Sequence, residues 1–403
     1  MVQTLGNVLA GPFDSSLVPD PLAGAAGFRP VPNRTAYRIE GLVMRRGPSP
    51  DALRAGWRLI YGIFRIDGAP HYALLALSPD LAITHVWPIT DSALGVDRQQ
   101  FAQAQYPHGF ILLPDASVVV AFDGDYHTTR LDVCGRRIWS SPARLHHALY
   151  AVDDGRSAWG VGEGYSLQQI DLGDGRLLRT ITMDQLRAAN PGLGALEMQR
   201  LDDNALGTNR RDDAQDFPPD AYHVNDVEPL PAALASAFPH FRAGDLLVSF
   251  RSLNMLAVID PATRAVRWMT NDYTLRQHDG NWNTDGTITV LDNNMGRRFS
   301  RILRFRPAAG THDVLLDGQS LDFYTRIRGK HQLLPGGGLL VTSSQQGRIF
   351  ERGPDSRIAL ELLVRDPAHP GRNFVVSEAR FLPSDSLPMK KVTPCQKSSS
   401  SSF

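Results

Sequence analysis

Cysteine is nearly absent. The 403 residues hold two, Cys134 and Cys395, too few for a disulfide framework or a four-thiolate zinc site. No apolar run approaches 18 residues, so no transmembrane helix and no membrane partner are expected. Neither sign of charge is in excess: 42 basic and 42 acidic side chains give a formal net charge of zero. A nucleic-acid binder would need a basic surplus, so that class is set aside. Residues 1–27 lack a basic n-region and a continuous apolar h-region, so the chain as written shows no signal peptide and reads as cytoplasmic. Sharp catalytic signatures are missing too, with no Walker loop, GxGxxG before a helix, HExxH, GxSxG or CxxC. Nothing in the composition sets an oligomeric state.

What is present is short strands and turns. Runs rich in β-branched and aromatic residues recur at Leu59–Phe64, Tyr72–Leu77, Val118–Phe122, Leu246–Phe250, Thr287–Leu291 and Leu339–Thr342. Turn signals such as Asp67-Gly68, Asp154-Gly155, Asp174-Gly175 and Asp285-Gly286 bound them. Helical patterns are few: Asp184–Asn190, ended by Pro191, and a weaker one at Ala232–Phe238. With 35 glycines and 28 prolines the chain is turn-rich without being disordered. An all-β protein is expected.

The strands come in repeats. Units opening on histidine begin at His108, His147, His223, His278 and His331, and an earlier copy without the histidine runs from Trp57 to Trp87. A unit of about 40–50 residues with four short strands is a propeller blade. Six copies imply a six-bladed β-propeller over 36–382; a seventh blade would require Phe374–Leu382 or Tyr37–Met44 to build more than a closing strand. Residues 1–35 read as an N-terminal arm, about 184–219 as a helix-bearing insertion, and 383–403 as a disordered tail in which Cys395 has no structural task.

Histidines at one phase of a repeat would converge on one mouth of the central channel. The bland reading is a hydrogen bond joining neighbouring blades, and His331, in the plain context KHQLLPGGGLL, fits it best. His71, His85, His127, His240, His312 and His369 miss the phase and are expected on the surface or in loops. Three copies carry further polar chemistry. In Tyr222-His223-Val224-Asn225-Asp226, alternation puts His223 and Asn225 on one side, and Arg251 follows the strand Leu246–Phe250 of that unit. His278 leads a copy whose next strand ends at Asp292-Asn293-Asn294. In the His146-His147 doublet the phase favours His147. Imidazoles beside a guanidinium suit an oxyanion. A zinc site on His147, His223 and His278 is disfavoured by the nearby Arg251 cation. The Gly336-Gly337-Gly338 triplet falls where the other copies have a hairpin turn.

Between about Tyr106 and Leu382 the sequence resembles the arylsulfotransferase family, the bacterial PAPS-independent type with a six-bladed propeller. The most specific pieces are AYHVNDVEPL, DLLVSFRSLNMLAVID, RQHDGNW leading into ITVLDNN, and QLLPGGGLLVTSSQQGRIFE. The resemblance implies an enzyme that moves a sulfuryl group from an aryl sulfate to a phenol through a sulfohistidine, without metal or cofactor. It places the sulfated histidine at His278 and supporting groups at His223, Arg251 and His147, with Asn225, His108, Asn293 and His331 as candidate substrate contacts. Departures are Ala148, where the family has an aspartate after the doublet, and residues 1–50, too short for the N-terminal sandwich of larger members. Those members are exported, which implies a periplasmic or secreted location, and carry a disulfide for which no suitable cysteine pair is expected here. A non-catalytic propeller that binds an anion or a protein, and a hydrolase or lyase on the same scaffold, are the competing readings.

Overall fold

Alternation of β-branched and aromatic residues, interrupted by Asp-Gly turns, builds six antiparallel sheets in chain order. The computed structural model describes residues 16–48, 53–96, 105–124, 126–199, 220–393 and 395. Blade 2 is formed by Pro107–Leu112, Val118–Phe122, Thr129–Leu131 and Arg137–Ser140. Blade 3 comprises His146–Ala151, Ser157–Val161, Leu167–Asp171 and Leu177–Ile181. Blade 4 comprises Val224–Pro229, Leu246–Phe250, Met255–Ile259 and Val266–Thr270. Blade 5 has His278–Trp282, Ile288–Asp292, Arg301–Arg306 and Thr311–Asp317. Blade 6 has Lys330–Leu334, Gly338–Ser343, Arg348–Arg352 and Ile358–Val364, extended by Leu42–Arg46 and Arg29–Pro30. In blade 1 the leading strand is Val376–Pro383, brought back from the C-terminal end to pair with Gly56–Ile66, followed by Ala69–Leu77 and Ile83–Ile89. The late strand thus completes the first blade, and the strand near residue 42 widens the sixth. The protein has the all-β, six-bladed propeller fold.

Burial within each blade follows the residue pattern. Leading strands and their neighbours are closed to solvent, as in Pro107–Leu112 and Val118–Phe122, whereas the last strand Arg137–Ser140 is largely exposed. The sheets divide into two compact units. Blades 1, 2 and 6 lie in the unit formed by residues 1–146 and 318–403; residues 147–317 hold blades 4 and 5 and all but the first residue of blade 3.

In the first unit Arg58, fully buried, pairs bidentately with Glu351 (Nε–Oε1 2.6 Å, Nη2–Oε2 2.9 Å) and caps the carbonyls of Gly56 and Arg54, tying blade 1 to blade 6. With all three guanidinium nitrogens engaged, such a pair specifies which strands meet more than it adds net stability. In the second unit the same junction is made with carboxylates and amide groups. Asp226 accepts from Gly280 N–H (2.6 Å) and Glu228 from Trp282 N–H (3.2 Å), joining the leading strands of blades 4 and 5.

The glycine triplet is a turn, with Gly336 and Gly337 at φ 83° and 95°, values an L side chain rarely adopts. The helix read at Asp184–Asn190 runs over Met183–Ala189, closed by a Thr182/Gln185 capping box; Ala232–Ala237 is a 3₁₀ turn. Of the insertion, 200–219 lie outside the described residues, as do 1–15 of the arm and 394 and 396–403 of the tail.

Three expectations need correction. Cys134 and Cys395 are joined by a disulfide across 261 residues; sequence spacing carries no information about such a contact. The stretch after Pro383 is ordered as far as it is described, with a short helix Leu387–Lys390 that buries Met389. His85, expected at the surface, is buried on Ile83–Ile89, where its Nε2 meets the Val133 carbonyl (2.8 Å).

Candidate active site

The histidines do not share a phase once pairing is known. The leading strands of blades 2, 4, 5 and 1 each carry a β-bulge, between Pro107 and Gly109, Val224 and Asp226, His278 and Gly280, and Val376 and Glu378. The bulged residues are therefore His108, Asn225, Asp279 and Ser377. His278 stands one residue before its bulge and His223 two before. A bulge re-aims neighbouring side chains, so histidines that align in sequence are not equivalent in space. They also divide between units: His147, His223, Arg251 and His278, with Asn225 and Asn293, belong to the second, and His108 and His331 to the first.

His278 begins the leading strand of blade 5, opposite Leu291. Its position is fixed from both sides. Before it, the buried Gln277 directs its amide nitrogen at Ser249 Oγ (3.1 Å) and the carbonyls of Phe250 (3.3 Å) and Met255 (3.0 Å), and takes a hydrogen bond from Thr274. After it, Asp279 adopts φ 60°, a costly conformation for a non-glycine residue. The imidazole is buried and donates Nδ1–H to the amide oxygen of Asn293 (2.6 Å). Ser300 Oγ donates to the Asn293 carbonyl (3.2 Å), and the neighbouring Asp292 accepts from Leu275 and Asn294 N–H and pairs with Arg301 (Nε–Oδ2 3.0 Å). An amide oxygen only accepts, so Nδ1 carries a proton, and in the neutral ring the lone pair falls on Nε2.

His223 sits in a different environment. Its Nδ1–H faces the Asp220 carboxylate (2.8 and 3.0 Å), its ring lies 5.1 Å from Tyr165, and the His147 ring crosses it edge-on at 5.4 Å. His147 and His223 both have positive φ, 62° and 41°, a strain of about 1–3 kcal/mol each. Burial alone would raise the pKa of Asp220, but the hydrogen bond and charge of His223, the Tyr165 hydroxyl and the Arg251 cation carry it below the ordinary carboxylate value. Arg251 starts the turn after Leu246–Phe250, and its backbone N–H donates to the His223 carbonyl (3.1 Å). A carboxylate thus stands behind the His223 imidazole and an amide behind that of His278, so the two rings are held by different partners.

Asn225 Nδ2 donates to the Gln277 carbonyl (2.8 Å), which links the His223 segment to the His278 segment, while its buried Oδ1 has no hydrogen-bond partner among the described residues. In the first unit, His108 donates to Asp123 (2.9 Å), and His331 is buried on Lys330–Leu334 opposite Val341.

Sequence reasoning missed Asp220, Tyr165 and Gln277. The three-residue spacing of Asp220 and His223 was the one available signal, since a turn brings such residues together. Because Asp220 is held below its usual pKa, its ionic contribution is complete above the unfolded value near 3.8 and fades as pH falls through the lower folded value. Asp220→Asn is expected to lower turnover about 10–100-fold with KM little changed, the size seen when a group orienting a functional histidine is lost. Steady-state kinetics at neutral pH check this; an unaltered kcat would remove Asp220 from the machinery.

The comparisons bear on this geometry. A family model described as arylsulfotransferase (ASST) matches residues 156–365, just over half the chain. No curated protein matches in sequence. Among solved structures, a Bacteroides caccae protein of unknown function is 11% identical at a TM-score of 0.50, with 81% of this chain and 98% of that one covered. TolB from Acinetobacter baumannii is 13% identical at 0.48, covering 81% and 67%, and virginiamycin B lyase from Staphylococcus aureus is 11% identical at 0.40, covering 66% and 72%. At 11% identity the first of these likenesses speaks to fold alone. The matched span contains His223, Arg251 and His278, and the chain belongs to the arylsulfotransferase family.

Proposed function

We propose that the protein transfers a sulfuryl group from an aryl sulfate to a phenolic acceptor, with Nε2 of His278 as the group that is transiently sulfated. The observation that carries this reading is the Asn293 amide behind His278 (2.6 Å) where His223 has a carboxylate. A neutral imidazole with its lone pair fixed on Nε2 is the form that attacks sulfur. In the first half-reaction an Nε2–S bond forms, the S–O(aryl) bond breaks, and the leaving phenolate takes a proton from His223, whose ring Asp220 orients through Nδ1. Arg251 supplies a permanent cation for the sulfuryl oxygens, and His147 lies against His223 to add a further donor. In the second half the acceptor phenol gives its proton to His223, its oxygen attacks sulfur, and the N–S bond breaks, so the enzyme regains its starting state.

The test is release of 4-nitrophenol from 4-nitrophenyl sulfate with and without phenol. Release that requires phenol, with ping-pong kinetics, is the expected result. Release at the same rate without acceptor would make the protein a sulfatase, and no release would leave an anion-binding propeller.

A further inference from the structure

The outer strands of blades 4 and 5, both in the second unit, enclose a cavity of about 200 Å³ that sulfuryl transfer on His278 does not use. Strand pairing decides which rings reach it. Phe305 stands opposite His312 on the last two strands of blade 5, and their rings lie 5.9 Å apart at 29°. The segment that leaves Val266–Thr270 lays Tyr273 over His312, at 3.7 Å and 30°. From Val266–Thr270 itself, Trp268 meets Phe305 edge-on, at 6.3 Å and 68°. These four rings line the same cavity. Phe305 is buried and Trp268 half-buried, whereas His312 and Tyr273 are exposed, Tyr273 by 43%.

Rings whose one task is to join two blades gain most when the blades cover them; rings grouped around a hollow and left open to water mark a binding surface. Charge and ring geometry set the class of ligand. One charged group of each sign lines the cavity, the exposed Asp272 and the half-buried Arg306, and Arg306 is paired with Asp313. The lining therefore favours neither a cation nor an anion. Tyr273, His312 and Phe305 lean on one another in steps of about 30°, which makes a platform and not the box of rings that encloses a cation. At about 200 Å³ the hollow is smaller than the roughly 300–1,000 Å³ of pockets for drug-sized molecules, and it suits a single ring. A second hollow of about 360 Å³ shares the Trp268 and Met269 walls.

We propose that this surface binds a saccharide of equatorially substituted pyranose rings, one ring in the smaller hollow and the next across Trp268. Such a ring has a flat face of C–H groups, which stacks on an aromatic face, and a rim of neutral hydroxyls that both donate and accept. Asp272 accepts from those hydroxyls, Arg306 donates to them, and Thr270 and Thr311, also in the lining, do either. An axial hydroxyl would break the flat contact, so the site takes gluco- or xylo-configured chains. It is independent of the sulfuryl-transfer reading and holds whether or not the second unit is catalytic.

Saturation-transfer NMR on the full chain with cellotetraose and xylotetraose tests this. The expected result is transfer from the protein to the ring C–H protons that saturates with saccharide concentration. Tyr273→Ala should weaken binding about tenfold. It removes an exposed ring and keeps the Tyr273 carbonyl that accepts from Arg301 (3.3 Å), so the fold should persist. Trp268→Ala, which strips a wall from both hollows, should weaken binding at least as much. Should that variant misfold, Asp272→Ala at its exposed position takes its place, with a loss of about three- to tenfold expected. Transfer to neither saccharide, or Tyr273→Ala binding like its parent, would overturn the proposal. Binding of 4-methylphenol in place of the saccharides would overturn it too and make the hollow an aryl site.

Discussion

Replacing His278 by alanine is expected to abolish phenol-dependent release of 4-nitrophenol, by about 10⁴-fold or more in kcat, because the atom that accepts sulfur is gone and not merely misplaced. Substitution of the surrounding histidines should be milder, since each leaves Nε2 of His278 in place. The fold should survive. Loss of the His278 hydrogen bond to Asn293 leaves a buried amide oxygen less well satisfied, a cost of about 1–3 kcal/mol. Gln277, Asp226 and Gly280 still hold the segment through bonds that do not involve the imidazole. His278→Gln, which keeps a polar group in the space, serves as a companion if alanine proves too destabilising. Labelling completes the experiment. With sulfur-labelled aryl sulfate and no acceptor, acid-labile label should appear on wild-type protein and be absent from both variants. Label retained on the alanine variant would place the attack on another residue, His223 being the first to examine.

Blade number was legible because each blade repeats its own alternation and turn: Val118–Phe122 and Leu246–Phe250 coincide with the strands observed. The six-or-seven ambiguity resolves through pairing, since Val376–Pro383 leads blade 1 and Leu42–Arg46 joins blade 6. The chemical residues were legible by type and much less by role. His278 and Asn293 are both apparent in the sequence, but a separation of 15 residues does not reveal that one sets the tautomer of the other. The phase of the histidines does not by itself give their register, because a β-bulge adds one residue to a strand without changing the hydrophobic pattern that marks it. Asp220 and Tyr165 reach His223 from separate turns, and Arg328 reaches Asp123 across 205 residues. Such pairings come from tertiary folding and leave no periodic trace.

Cys134 and Cys395 show the same limit and carry the other large effect. Cys134 lies in the turn between Thr129–Leu131 and Arg137–Ser140 of blade 2, and Cys395 follows the helix Leu387–Lys390 beyond the leading strand of blade 1. The bridge therefore fastens the segment that continues from the strand completing blade 1. Chain-entropy arithmetic for a loop of 261 residues gives a ceiling of about 5–6 kcal/mol. The measured dependence on loop length is weak, because unfolded chains retain structure and native bridges absorb part of the gain, so about 2–4 kcal/mol is the value expected. Cys395→Ser should accordingly lower the thermal midpoint by several degrees under oxidising conditions and have no effect once a reductant is present. The loss should begin locally. Among the described residues 384–393 and 395 there is one short helix and one buried anchor, Met389, whereas Val376–Pro383 is paired along its length with Gly56–Ile66; hydrogen exchange in the variant should therefore rise first in the segment after Pro383 and reach the strand later. A persistent bridge of this kind also requires an oxidising compartment. Calorimetry with and without reductant tests the whole argument: identical midpoints for wild type and Cys395→Ser in the absence of reductant would show that strand pairing alone holds the closure.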